Sequence, residues 1–256
     1  MSNSPEFEVK VLADGDALAH HAANAIETLA HERVAETGWF NLALSGGSTP
    51  KAVYQLLANP REHAAMPWSK TRLFWGDERH VKPDHPDSNY RMVYEALLKN
   101  GPVPLENIFP ISTSEATTEV CAEKYAATLH DKIERKKDGF PVFDLVLLGI
   151  GPDGHTASLF PGTPAPHELI KTMTTCDPLS FNPAVRPAVD RITITSPVIW
   201  RADNVFVLAE GSSKQEMLAK IFASGPIETQ IVARLLWRCQ GQVRFFIDQA
   251  ALPQQK

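Results

Sequence analysis

One segment of the chain combines an apolar run, three glycines, an acid and a histidine. Residues 145–158 read LVLLGIGPDGHTAS, with Asp153 two positions before His155. The apolar run predicts a buried strand over residues 145–148, and the glycines permit a tight turn with a close approach of the backbone. Ligands of open α/β sheets bind at such strand ends. We therefore expect this turn to present His155 as a catalytic residue.

The same glycines also fit the dinucleotide-binding pattern GxGxxG, through Gly149, Gly151 and Gly154. That fingerprint normally opens the first βαβ unit and needs an acidic residue about 20 positions further on, at the end of a second strand. Here the region after Leu159 is rich in proline instead. A lone match is weak evidence, so we favour a catalytic turn over a nicotinamide site.

A second glycine turn, SGGSTP at residues 45–50, lies between a predicted strand and a predicted helix. Free N–H groups at a helix N-terminus, together with small residues and hydroxyl groups, suit a phosphoryl group. It is not a nucleotide P-loop, because GxxxxGK[ST] is missing. The alternative is a plain turn in which Thr49 caps the helix. The candidate phosphate ligands are Ser45, Gly46, Gly47, Ser48 and Thr49.

A charged cluster, FWGDERHV at residues 74–81, follows another predicted strand. Arg79 could stabilise an oxyanion or bind an anion, with Asp77 or Glu78 holding its guanidinium plane. The alternative is a solvated charge cluster on a loop. Further along the chain, Ser88-Asn89 predicts the N-cap of the next helix.

Two more cations are candidates for a phosphate site. Arg191 opens the predicted strand RITIT, and Lys214 ends the strand-to-helix turn GSSK. In isolation either residue is more often a surface charge. A lysine in a first helical turn is unfavourable against the helix dipole, and a bound anion would relieve that mismatch.

The elements that must position these residues alternate along the chain, which predicts parallel strands with crossover helices. Strands are predicted at Phe7 to Leu12, Phe40 to Leu44, Thr71 to Trp75, Asn107 to Pro110, Leu145 to Leu148, Arg191 to Thr195, Asn204 to Leu208 and Val243 to Ile247. Helices are predicted at Asp16 to Glu36, Pro50 to Leu57, Asn89 to Leu98, Ser114 to Lys136 and Lys214 to Phe222. The expected fold is a doubly wound α/β sheet, Rossmann-like, with helices on both faces.

The least regular region is predicted between Phe160 and Pro187. Its prolines disfavour regular elements and suit a loop beside the site, although a surface excursion without a role is an equal alternative. No internal repeat and no long linker interrupts the chain. We therefore expect a single domain over residues 1–256.

Composition and net charge indicate which kinds of binding partner to expect. With 256 residues, of which 43% are hydrophobic, the chain can bury a large core. A net charge of -5 leaves no basic footprint, so nucleic acid and membrane are unexpected partners and a small molecule is favoured. The three cysteines fit neither a disulfide framework nor a metal motif, and the N-terminus lacks an apolar leader. We expect a cytoplasmic protein that is a monomer or a weak homodimer.

Taken together, the segments LALSGGSTP, FWGDERHV and DLVLLGIGPDGHTASLFPG resemble the 6-phosphogluconolactonase family. The strand RITIT and Lys214 also match, in the family's order, so the resemblance covers most of the chain. This family is related to the glucosamine-6-phosphate deaminases. The resemblance implies hydrolysis of 6-phosphoglucono-δ-lactone to 6-phosphogluconate, the second step of the oxidative pentose phosphate pathway, with no metal and no organic cofactor.

The resemblance also implies roles for the candidate residues. His155 would be the general base, since imidazole can take up and return a proton near neutral pH. Arg79 would stabilise the oxyanion, and Asp153 would orient His155 or a sugar hydroxyl. The phosphate and the rest of the substrate would be held by Ser45, Gly46, Gly47, Ser48, Thr49, Asn89, Arg191 and Lys214.

Two rival functions share this fold. The deaminase branch continues after Asp-Gly-His with an Asn-Glu-Pro element that supplies a carboxylate, whereas this chain has Thr156-Ala157-Ser158. The missing glutamate favours the lactonase. A non-catalytic sensor of phosphosugars would keep the fold without needing His155.

Overall fold

A seven-stranded parallel sheet forms the centre of the fold. The structure is a computed structural model and describes residues 7–99, 101–223 and 231–254. In order across the sheet, the strands are β1 (Glu8–Leu12), β12 (Gln242–Asp248), β11 (Asn204–Ala209), β8 (Leu145–Gly149), β2 (Phe40–Leu44), β3 (Thr71–Trp75) and β5 (Ile108–Phe109). The predicted parallel strands are confirmed at these positions.

Six α-helices are described within those ranges: α1 (Gly15–Thr37), α2 (Ser48–Leu57), α3 (Asn89–Val93), α4 (Thr118–Lys132), α5 (Ser196–Arg201) and α6 (Gln215–Phe222). A π-helical turn, Tyr94–Leu98, continues α3. Short 3₁₀ helices occur at Trp68–Lys70, Leu105–Asn107, Ala165–His167, Pro178–Ser180, Ser212–Lys214, Val232–Arg238 and Gln249–Ala251. Every residue of β2 and β11 is buried, as expected for a doubly wound sheet that is covered on both faces. Within the described residues, no helix is both long and apolar enough to cross a bilayer.

The direction of chain progression reverses between β2 and β8. From β2 the chain continues to β3 and β5 on one side, whereas β8 leads to β11 and β12 on the other. The loops that leave the carboxyl ends of β2 and β8 therefore diverge and leave a crevice between them. The two glycine turns singled out from the sequence are the loops that border this crevice.

The predicted strand that begins at Arg191 does not join the parallel sheet. It forms β10 (Arg191–Ile194) in a separate antiparallel sheet, between β4 (Asp77–Arg79) and β9 (Met173–Cys176). The prolines did not prevent a regular strand within residues 160–187, because β9 lies between Pro166 and Pro178 and pairs with β10. Gly76 joins the two sheets: its N–H donates to Leu44 O and its carbonyl accepts from Ile194 N, both at 2.8 Å.

The predicted helix from Ser114 to Lys136 is shorter at both ends. It begins after Thr117, whose hydroxyl accepts from Val120 N, and ends at Lys132. The next residues form a hairpin, β6 (Lys136–Lys137) with β7 (Phe140–Pro141). Its two turn residues, Asp138 and Gly139, have φ values of 50° and 83°, as a tight hairpin turn requires. An Asp-Gly pair is typical of such turns, and the sequence analysis missed it by extending the helix to Lys136.

A buried carboxylate ties the start of β8 to its neighbours. Asp144 is fully buried, and its Oδ2 accepts from the backbone and side-chain nitrogens of Asn41 at 2.7 and 3.1 Å. Its Oδ1 accepts from Arg33 Nε at 3.0 Å and Arg135 Nη1 at 3.1 Å. Burial raises the pKa of Asp144, although these hydrogen bonds oppose the rise. The carboxylate thus joins β2, β8, α1 and the hairpin.

Replacing Asp144 with alanine should lower the free energy of unfolding by about 3 kcal/mol, because two arginines and a buried amide lose their acceptor. Glu36→Ala is the matched control. Glu36 pairs with the same Arg33 at the surface, so its loss should cost less than about 1 kcal/mol. Urea denaturation of both variants measures the difference, and equal losses would contradict the role of Asp144.

Candidate active site

The crevice between β2 and β8 opens into a pocket of about 740 Å³ at the carboxyl edge of the sheet. Most of the residues predicted from the sequence lie on its wall, although they come from four different loops. They are Ser45, Gly46, Gly47, Ser48, Thr49, Arg79, His155 and Lys214. The predicted residues Asp153, Asn89 and Arg191 lie behind this wall and contact the residues that form it.

His155 is hydrogen-bonded to Asp153 through one ring nitrogen. Its Nδ1 lies 2.5 Å from Asp153 Oδ1, and its ring stacks on Phe160 with the centroids 4.2 Å apart. A carboxylate can only accept here, so Nδ1 carries the proton and Nε2 has a lone pair. Nε2 has no hydrogen-bond partner among the described residues. The arrangement suits a base that faces the pocket.

The carboxyl group of Asp153 is kept ionised by its partner. Burial alone would raise its pKa, but the hydrogen bond and the positive charge of His155 outweigh burial and hold the pKa below its usual value. An ionised Asp153 accepts from Nδ1–H and thereby fixes the orientation and the tautomer of the His155 ring.

Gly151 makes room for the histidine ring. A Cβ at position 151 would lie 2.1 Å from both Cε1 and Nδ1 of His155 and 2.8 Å from Asp153 Oδ1. Position 151 therefore needs a glycine because the His155 ring occupies the space of a side chain. In a dinucleotide fingerprint the glycine would instead let a phosphate approach the backbone. This packing supports the catalytic interpretation of the GxGxxG match.

The turn after β2 leaves the N-terminus of α2 without a side-chain cap. Gly47 is the N-cap, with a φ of 107°, and no side chain bonds to the first-turn amides. The alternative in which Thr49 caps this helix is wrong, because α2 already begins at Ser48 and the Thr49 hydroxyl donates to Glu210 Oε2 at 3.1 Å. Uncapped amides beside a pocket are suited to bind an anion.

Asn89 supports this turn from behind. It is 2% exposed, and its Oδ1 would lie 2.1 Å from a Cβ at position 46. Its Nδ2 donates to Asp77 O at 2.9 Å. The cap of α3 is Ser88, whose hydroxyl accepts from Arg91 N. Asn89 therefore packs against Gly46 and does not line the pocket.

The guanidinium of Arg79 is not held by either neighbouring acid, contrary to the sequence-based expectation. Its Nη1 donates to Asp87 O at 2.7 Å. Glu78 instead accepts from the backbone nitrogens of Arg79, Asn89 and Tyr90, at 2.7 to 2.8 Å. Burial raises the pKa of Glu78, and these three hydrogen bonds oppose the rise. Glu78 therefore orders the backbone around Arg79 and leaves the guanidinium free of a carboxylate.

Asp77 links this corner to the loop that carries His155. Its Oδ2 accepts from the Ser158 hydroxyl at 2.6 Å, and its Oδ1 accepts from Asn89 Nδ2 at 3.3 Å. The Ser158 amide donates to Thr193 Oγ1 at 3.2 Å. Asp77 is 7% exposed and acts chiefly as an acceptor inside the protein.

Arg191 lies directly across from Arg79 in the β4–β10 pair. It is 3% exposed, its Nη2 donates to Pro187 O at 2.9 Å, and its Nη1 has no hydrogen-bond partner in the part of the chain that the structure describes. Burial and the charge of Arg79 lower its pKa to about 10. The structure thus places two arginines side by side, with only Arg79 on the pocket wall.

Lys214 closes the opposite side of the pocket. It ends the 3₁₀ turn before α6, and its Nζ donates to Ile150 O at 2.8 Å. Burial lowers the pKa of Lys214, although the negative charge of Asp153 opposes the change. The ammonium group is therefore near the catalytic turn as well as the uncapped amides.

Sequence reasoning missed three residues at the site. Glu210 lines the pocket next to Lys214, Phe160 stacks on His155, and Ser158 binds Asp77. Only Glu210 had a usable signal, because it directly follows β11 at the edge where ligands collect. The contacts of Phe160 and Ser158 depend on how the chain turns back after His155.

Replacing Gly151 with alanine should push the His155 ring away from Asp153 and destabilise the protein by about 1–3 kcal/mol through overpacking. Gly149→Ala is the matched control, because nothing lies within 4 Å of a Cβ at that position. Ring ¹⁵N chemical shifts of His155 and urea denaturation measure the two effects. Unchanged shifts in Gly151→Ala would show that the glycine is not needed for space.

Comparison with known proteins identifies the family. The family model described as glucosamine-6-phosphate isomerases/6-phosphogluconolactonase matches residues 13–244. A 6-phosphogluconolactonase of Synechocystis sp. is 41% identical over 244 residues, which are 95% of this chain and 96% of that protein. One of Nostoc sp. is 38% identical, with 95% and 96% covered. The solved 6-phosphogluconolactonase of Trypanosoma brucei superposes with a TM-score of 0.88 at 35% identity, covering 97% of this chain and 98% of that chain.

Fold and site define a doubly wound α/β protein that has a histidine–aspartate pair and a helix N-terminus without a side-chain cap at its switch point. The chain belongs to the glucosamine-6-phosphate isomerase/6-phosphogluconolactonase family. The resemblance inferred from the sequence segments is confirmed.

Proposed function

We propose that this protein hydrolyses 6-phospho-D-glucono-1,5-lactone to 6-phospho-D-gluconate, the second step of the oxidative pentose phosphate pathway. The observation that carries the proposal is the 2.5 Å contact between Asp153 and His155, which leaves imidazole Nε2 free at the pocket wall. The family and the names of its relatives, which are 6-phosphogluconolactonases, support it.

In the proposed mechanism His155 is the general base. Nε2 takes a proton from water as the water oxygen attacks the lactone carbonyl carbon, and a tetrahedral oxyanion forms. Collapse of the oxyanion breaks the bond between that carbon and the ring oxygen, and the imidazolium returns the proton to the leaving oxygen. Asp153 holds the ring in place and stabilises its charged form throughout.

Arg79 would stabilise the oxyanion. One of its N–H groups is committed to Asp87 O, and the guanidinium has further donors available for a developing negative charge. Arg191 would add positive potential from behind Arg79 without direct contact. This lactone also hydrolyses unaided in water, so one base and one cation provide a sufficient catalytic apparatus.

The phosphate would bind between the turn at residues 46–49 and Lys214. The uncapped amides of α2 and the ammonium group converge on this part of the pocket, and both favour a dianion. Holding the phosphate there fixes the position of the lactone ring relative to His155. Phosphate binding thus orients the substrate for the reaction.

The deaminase or isomerase alternative receives less support. The segment after His155 supplies no carboxylate for ring opening, since it reads Thr156-Ala157-Ser158. A phosphosugar sensor remains the non-catalytic alternative, and turnover distinguishes it directly.

His155→Ala should reduce turnover about a hundredfold or more, because the general base is lost. Binding of 6-phosphogluconate should remain, since the phosphate contacts are intact. Proton release from freshly generated lactone, against an enzyme-free control, measures turnover, and calorimetry measures binding. His31→Ala on the exposed face of α1 controls for substitution of a histidine. Wild-type protein that binds phosphosugars without accelerating hydrolysis would favour the isomerase or the sensor.

Lys214→Ala should weaken 6-phosphogluconate binding about tenfold or more, because a charge-assisted contact to the phosphate is removed. Lys220→Ala is the matched control and should bind like the wild type. Lys220 lies further along α6 and pairs with Glu216 at the surface. If both variants bind equally well, the phosphate lies elsewhere in the pocket.

Phosphate binding should also weaken at alkaline pH. Because burial lowers the pKa of Lys214, the ammonium group loses its proton at a lower pH than an exposed lysine would. Lys214→Arg should move this loss to higher pH, since guanidinium stays protonated. Calorimetric titration of 6-phosphogluconate across the alkaline range tests this, and identical pH profiles for the two proteins would exclude Lys214 as the titrating group.

A further inference from the structure

A second concavity, of about 870 Å³, lies at the opposite edge of the parallel sheet. It is bordered by the residues that precede or begin β8, β11 and β12, whereas the active site follows the ends of these strands. A six-residue strand separates the two by roughly 20 Å. We call this concavity the basal cleft and define it by Arg135, Lys136, Lys137, Arg201, Asp203 and Arg238.

The basal cleft concentrates positive charge on a protein whose net charge is -5. Five of its six defining residues are cations, and Asp203 is the one acid among them. Arg135 pairs with Asp203 at 2.5 Å, and Arg201 pairs with Asp138 at 3.1 Å. These two arginines are therefore already compensated by carboxylates.

Three cations in the basal cleft have no carboxylate partner within the described part of the chain. Lys136 donates to the carbonyl oxygens of His130 and Ile133, and the carboxylates of Glu134 and Asp131 act on its charge without bonding to it. Lys137 has no bonded partner there, and Arg238 contacts the ring of Trp200, with Cζ 5.4 Å from the centroid. Like charges gathered in one concavity repel each other, and an anion would remove that cost.

The positions of these cations are set by rigid elements. Lys136 and Lys137 form one strand of the hairpin closed by Asp138 and Gly139, and Asp138 also holds Arg201. Arg238 ends a 3₁₀ helix on the facing wall, and Trp200 lies beneath its guanidinium. A hairpin with a two-residue turn and a stacked guanidinium lose little entropy when a ligand binds.

We propose that the basal cleft binds a small anion that carries two or three phosphate groups. A volume of about 870 Å³ lies within the range of small-molecule pockets, and three cations without a bonded carboxylate match the charge of a polyphosphate. A single phosphate would leave part of this charge unpaired. The concave shape favours a compact ligand over the flat contact that a macromolecule would need.

The test is calorimetric titration of the intact protein with inorganic tripolyphosphate. Lys137→Ala/Arg238→Ala should weaken binding about tenfold or more, since two charge-assisted contacts are lost. Both side chains are exposed, so thermal unfolding and lactone hydrolysis should match the wild type. The charge-conserving Lys137→Arg/Arg238→Lys should restore binding.

Two comparison variants identify the site. Lys99→Ala/Lys171→Ala removes the same net charge from exposed positions elsewhere and should bind normally. Lys214→Ala removes the active-site cation and should also retain tripolyphosphate binding. The proposal is overturned if the wild type does not bind at about millimolar concentration, if both double-alanine variants weaken equally, or if binding is lost only with Lys214→Ala.

Discussion

The loops that form the active site meet at the buried carboxylate of Asp77. It accepts the hydroxyl of Ser158 and the amide of Asn89, and Asn89 packs directly against Gly46. A carboxylate removed from water must keep its hydrogen-bond donors. The loop after β2, the start of α3 and the segment beyond His155 therefore cannot shift independently of one another. The position of His155 relative to the turn at residues 45–49 depends on this shared constraint.

The same acids that order the site form no ion pair with its two arginines. Asp77 and Glu78 bind serine, asparagine and backbone N–H groups, none of which carries a charge. The neighbouring Arg79 and Arg191 consequently face the region without a carboxylate partner among the described residues. An ion pair between each arginine and an adjacent acid would have cancelled the positive potential that the proposed anionic substrate needs. Burial of Arg191 is the energetic cost of this arrangement.

The two edges of a parallel sheet, at the carboxyl and the amino ends of its strands, favour ions of opposite charge. At the carboxyl edge the loops lead into helix N-termini, which favour anions through their backbone N–H groups. At the amino edge, helices end before the strands begin, and their C-terminal dipoles favour cations. Arg201 and Arg238 lie in such last turns. This explains why basic side chains gather there, and the β6–β7 hairpin explains why two further lysines join them at the basal cleft.

The local signals in the sequence were sufficient for the parallel strands, because a continuous apolar run such as residues 145–148 has few alternatives to a buried strand. They were also sufficient for the two glycine turns and for His155, since turn chemistry is local. The sheet of β10 was not predictable, because its pairing with β4 joins segments more than a hundred residues apart along the chain, as for Arg79 and Arg191. The guanidinium partner of Arg79 was not predictable either: Asp87 is near in sequence, but its backbone carbonyl accepts the hydrogen bond only because of how the loop between them folds. By itself, the sequence determined which groups could do chemistry and on which turns they lie. Only the tertiary structure decided which of them face one pocket, because packing between distant segments sets the side-chain neighbours.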